Sequence, residues 1–107
     1  MEALEMIRLI FLPEYLADTP IFRSDDNYIG HVEIEDLPVT ERMKVNLRQW
    51  NNIYQLTFNE NDPELSGFTN QEEKFKYIDA GVKLSQELQD ELGSGYFVDS
   101  EFLQQKF

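Results

Sequence analysis

The stretch TERMKVNLRQWNNIY, residues 40–54, decides the architecture of this chain. Its apolar residues Met43, Leu47, Trp50 and Tyr54 recur at intervals of four, three and four, which puts them on one face of a helix. Thr40 offers a capping oxygen and Glu41 an acid in the first turn, so the helix is expected to begin at Glu41. It is expected to fade near Phe58, because Asn59-Glu60-Asn61-Asp62-Pro63 is loop chemistry. An apolar stripe must be covered by another layer, and Trp50 is its largest side chain. Trp50 is therefore expected in the core between layers.

Downstream, a second helix is expected to start around Thr69 or Asn70, where Thr69 and Glu72 have capping-box spacing. Phe75, Ile78, Val82, Leu84, Leu88 and Leu92 form its expected apolar face, and Gly93 and Gly95 its stop. Gly81 inside this helix costs about 1 kcal/mol relative to alanine, which marks a close contact with a neighbouring element. Upstream, Met6 to Leu12 reads as a buried strand stopped by Pro13. Residues 13–28 read as irregular, with Pro13, Pro20 and the turn-like Ser24-Asp25-Asp26-Asn27. Ile29 to Glu35 alternates with period two, as a short strand with one wet face does. Tyr96-Phe97-Val98 reads as a last strand before a polar tail. The expected fold is α+β, a small sheet of about three strands packed against two α-helices, forming one domain over residues 1–107.

Catalytic chemistry has no candidate constellation. His31 is the sole histidine, no serine lies in a nucleophile elbow, and there is no cysteine. One histidine without cysteine excludes the usual zinc sets, and Glu64 stands where a calcium loop needs its sixth-position glycine. Five glycines never form a phosphate cradle, so no metal or cofactor is expected. Glu33 and Glu35 would share a face at strand spacing, yet a chain of 107 residues leaves little room for a substrate cleft. His31 is expected to be a surface or half-buried polar residue. The start Met1-Glu2-Ala3-Leu4-Glu5-Met6 does not read as a signal peptide, so none is expected, and the run Leu9 to Leu12 is too short to span a bilayer. The expected location is the cytoplasm, consistent with the lack of cysteine.

Charge carries the functional signal. Twenty-one acids against nine bases give a net charge of −12, which repels nucleic acids and anionic lipids and attracts cationic surfaces. Residues 1–36 hold nine acids against Arg8 and Arg23, whereas the first helix is locally basic with Arg42, Lys44 and Arg48 against Glu41. Asp25, Asp26, Tyr28, Glu33, Glu35 and Asp36 form the candidate partner-binding patch, with Tyr28 as an aromatic anchor among carboxylates that steer encounter. Glu60, Asp62 and Glu64 are the second choice. The same charges also fit a solvated loop and a guarded strand edge.

Several segments resemble small bacterial immunity proteins encoded beside polymorphic toxins, including those of contact-dependent growth inhibition. They are Leu37-Pro38-Val39-Thr40 leading into the helix with Leu47 and Trp50, Asn61-Asp62-Pro63 with Ser66-Gly67-Phe68, and Leu88-Gln89-Asp90-Glu91-Leu92-Gly93 before Tyr96-Phe97-Val98. The resemblance runs over roughly residues 6 to 100 and rests on structural motifs. It implies a non-enzymatic inhibitor that binds and blocks a cognate toxin, with a basic nuclease the favoured target, and it carries over no active-site residues. An acidic mimic of nucleic acid that occupies a DNA- or RNA-binding protein is the alternative. A carboxylate hydrolase has the least support.

Overall fold

The computed structural model describes residues 6–106, so Glu2 and Glu5 of the N-terminal acidic segment lie outside the described residues. The elements are β1 (Ile7–Phe11), β2 (Ile21–Ser24), β3 (Ile29–His31), α1 (Glu41–Gln55), α2 (Gln71–Leu92), β4 (Tyr96–Asp99) and α3 (Glu101–Lys106). Short 3-10 turns lie at Ile34–Asp36 and Pro63–Leu65. The expected α+β class holds, with four strands and three helices. The sheet order is β3-β2-β1-β4, antiparallel across β3, β2 and β1. β4 joins β1 in parallel, with Leu9 opposite Val98, because the chain crosses over through α1 and α2 before returning.

Alternation along β1 puts Leu9 and Phe11 into the core while Arg8 points to solvent and pairs with Asp99 at 2.7 Å. Trp50 joins the layers. Its indole stacks on Tyr77 at 4.5 Å and 2°, approaches the Phe11 ring at 5.4 Å, and donates from Nε1 to the Tyr77 carbonyl at 2.9 Å. Gly81, one turn beyond Tyr77, leaves the space that the indole fills. The close contact expected at Gly81 is therefore made by Trp50, with Leu103 of α3 beside it.

Thr40 caps α1, its Oγ1 accepting from the Met43 N–H at 3.2 Å, and Glu91 at the end of α2 accepts from the Thr40 N–H at 2.8 Å. α1 ends at Gln55 rather than near Phe58, and Gly93, at φ 81°, stops α2 as expected.

Five further expectations are corrected. Asn70, not Thr69, caps α2, accepting from Glu72 and Glu73. The buried face of α2 is Tyr77, Gly81, Leu84, Ser85 and Leu88, whereas Phe75 is exposed and Ile78 and Val82 are half-buried. The glycine gap that admits Trp50 turns the helix away from its most apolar stripe. Residues 13–28 contain β2, held by the Ile10–Phe22 register with β1. The strand at Ile29 stops at His31, and Ile34 and Leu37, three residues apart, are buried together by a 3-10 turn, so Glu33 and Glu35 share no strand face. The expected polar tail contains α3, which buries Leu103 completely.

Gly81→Ala tests the Trp50 seat. Alanine favours the helix by about 1 kcal/mol. Its Cβ would overlap Trp50 Cζ2 and stand 2.9 Å from Leu103 Cδ1, and overpacking of that kind costs roughly 1–3 kcal/mol. The expected outcome is a lower Tm and denaturation midpoint; a variant at least as stable as the parent would show a looser seat.

Candidate functional site

The sequence-derived patch divides into two groups at opposite ends of β3. At the β2–β3 turn, Asp25 Oδ1 accepts from the Asn27 and Tyr28 N–H groups at 2.8 and 3.1 Å, and Oδ2 takes Arg23 Nε at 2.5 Å. Arg23 holds the Asp25 carboxyl below the usual aspartate range, helped by these backbone N–H groups. The same guanidinium lies 5.7 Å from the centre of the Tyr28 ring, and the Tyr28 hydroxyl donates to the His31 carbonyl at 2.9 Å. Asp25 and Tyr28 thus build the turn, while the Asp26 side chain is exposed.

Beyond β3, Glu35 is bound by the basic first half of α1. Arg48 donates to its carboxylate at 2.5 Å, and Lys44 Nζ reaches both its carboxylate, at 3.3 Å, and its backbone carbonyl, at 2.9 Å. Arg48 first, then Lys44, keeps the Glu35 carboxyl below the ordinary glutamate value. Glu33 and Asp36 on the same turn remain exposed.

Glu33 and Glu35 come together with Asp18 in an open groove of about 510 Å³, floored on α1 by Arg48, Asn51 and Gln55. Asp25, Asp26, Tyr28 and Asp36 do not line it. One wall is the loop before β2, which α1 clamps by side-chain amides. Gln55 donates to the Glu14 carbonyl at 2.8 Å and accepts from the Leu16 N–H at 2.8 Å, and Asn51 donates to the Ala17 carbonyl at 3.0 Å. Tyr15 stacks on Tyr54 at 4.3 Å. Held this way, Leu16 adopts φ 68° with its side chain 78% exposed, a conformation that costs a leucine roughly 1–2 kcal/mol. Leu16 and Asp18 carried no sequence signal, because the clamp arrives from residues more than 30 positions away.

The second-choice loop is ordered differently. Asn59 Oδ1 accepts from the Asn61 and Asp62 N–H groups, at 3.1 and 3.0 Å, and the Ser66 hydroxyl accepts from the Asn59 N–H at 2.8 Å. The amide side chain does the turn's work, and the carboxylates of Glu60, Asp62 and Glu64 project to solvent. Among the described residues they enter no ion pair.

For chemistry, the surface offers hydrogen bonding and charge. His31 is half-buried, edge-on to Phe22 and 3.6 Å from the Glu14 carboxylate. Among the described residues no group of three or more acidic or histidine side chains could hold a metal ion, and no helix is long and apolar enough to cross a membrane.

The Glu35 cluster gives a pH test. A carboxyl held below its ordinary value favours the folded state above the normal carboxylate range, and this is lost as pH falls through the folded-state value. The pair is exposed, so its effect on stability is small. An NMR titration is expected to give Glu35 a midpoint below the ordinary glutamate value that moves upward in Arg48→Ala; identical midpoints would remove the assigned cause.

Among individual curated proteins none matches the chain. The family model described as Serratia CdiI immunity protein-like matches residues 7–100, from the first residue of β1 to just past β4. The matched segment holds all four strands, α1 and α2, and hence the Trp50 seat. The chain therefore belongs to the Serratia CdiI immunity protein-like family.

Proposed function

We propose that this chain is a cytoplasmic immunity protein that neutralises a cognate basic toxin, a nuclease by preference, through one-to-one binding rather than catalysis. Family membership over residues 7–100 carries the reading. The charge gives it a mechanism. A net −12 on 107 residues draws in a cationic partner, and complementary fields raise association toward about 10⁸–10⁹ M⁻¹s⁻¹ at low salt. Nucleases carry cations to hold phosphates, which makes them fitting targets for such a field.

The nucleic-acid-mimic reading is weakened by the arrangement of the carboxylates. A mimic needs an unbroken row of negative groups, whereas Arg23 interrupts the row at Asp25 and Arg48 and Lys44 interrupt it at Glu35.

Co-expression with the toxin domain encoded beside its gene is the test. The expected result is rescue of growth and a purified one-to-one complex whose association rate falls steeply with added salt while dissociation changes little. Failure to bind or protect sinks the proposal. Capture of several unrelated nucleic-acid-binding proteins would favour the mimic instead.

A further inference from the structure

Several exposed apolar side chains and unpaired carboxylates gather on one concave surface between the two long helices. α1, residues 56–69 and the first half of α2 enclose an open groove of about 970 Å³. Leu56, Leu65 and Ile53 line it while being 86, 69 and 47% exposed. Apolar groups of this size and exposure, gathered on one concave surface, are the pattern of a binding site rather than of a solvated face. Glu60 and Glu73 stand in the groove, and Asp62 and Glu64 follow on the same loop. Among the described residues none of these four carboxylates is in an ion pair, and Lys76, which also lines the groove, is engaged by Glu72 at 3.7 Å.

We propose that the toxin docks in this groove through a basic segment whose apolar side chains cover Leu56, Leu65 and Ile53 while its lysines or arginines meet Glu60, Asp62, Glu64 and Glu73. This rests on the immunity reading and assigns it a surface. Charge selects the occupant. Two copies of this chain paired groove to groove would set these four carboxylates against the same four, on bodies each carrying −12. A cationic segment turns the same groups into attractive contacts. The contrast with Asp25 and Glu35 points the same way. Asp25 and Glu35 already have cations of their own, so a partner's lysine there must compete with Arg23, Arg48 and Lys44. The groove is also formed in advance, because the Gly67 N–H donates to the Thr57 carbonyl at 3.0 Å and closes the loop at its base.

Hydrogen exchange on the chain with and without the toxin domain encoded beside its gene tests this, together with dissociation rates of variants. Protection is expected over residues 53–73. Leu56→Glu and Leu65→Glu, both at exposed positions, are expected to keep the parental Tm and each to speed dissociation by at least about tenfold. Glu60→Lys with Glu73→Lys is expected to slow association and flatten its salt dependence. Asp26→Lys with Glu33→Lys and Asp36→Lys is expected to leave dissociation unchanged. A parental complex that forms normally, with protection over residues 25–36 and no effect of the leucine variants, overturns the groove and leaves the immunity reading standing. A parental chain that forms no complex overturns both.

Discussion

The indole of Trp50 lying on the glycine gap of α2 is the contact on which the other layers depend. It stacks on Tyr77, donates to the Tyr77 carbonyl and touches Phe11 of the sheet, so one side chain fixes α1, α2 and β1 against one another. Burying an indole stabilises by several kcal/mol only if its N–H finds an acceptor, and here the acceptor is a backbone carbonyl on the helix it packs against. Gly81 is the complementary half of that contact. A larger residue would hold the helices apart and change both grooves that α1 borders.

Net charge does not say where a field is felt. Asp25 and Glu35 count fully toward −12, yet each has a guanidinium within hydrogen-bond distance. At the roughly 8 Å Debye length of physiological salt, a partner meets such a pair as a near-neutral dipole. Glu60, Asp62 and Glu64 contribute the same formal charge and, among the described residues, enter no ion pair, so their potential reaches outward. The densest acidic segment in the sequence is therefore not the strongest source of field per carboxylate.

This difference also explains what was legible in the sequence. Local signals were sufficient for α1 and its Thr40 cap, for the span of α2 with its Gly93 stop, and for β1 and β4. β2 was not legible, since four residues between Pro20 and a turn show no period and the strand exists only through its partner β1. Hydropathy misplaced the inner face of α2, because the residue that admits the tryptophan is Gly81, and the buried face includes Ser85 while Phe75 is exposed. α3 escaped because, among the described residues, Leu103 alone anchors it as a fully buried side chain. At the candidate site, the acids were plain as composition, but their neutralisation was not. Arg48 reaches Glu35 from 13 positions away and Arg8 reaches Asp99 from 91, distances at which only the fold decides who meets whom.

α1 has two tasks, which explains why its exposed face is so uneven. Its inward stripe of Met43, Leu47, Trp50 and Tyr54 is spent on the core. The rest carries amides that clamp the loop of Leu16 on one side and the exposed Ile53, followed by the capping Leu56, on the other. Asn52 lines the first groove and Leu56 the second, and successive residues four apart lie only about 40° round a helix. Each groove thus has a wall on the element that the Trp50 seat holds most firmly. A surface built on such an element has little conformational freedom left to lose when a partner covers it, so more of the contact energy is retained as affinity. In an inhibitor, that ties the stability of the core directly to the strength of binding.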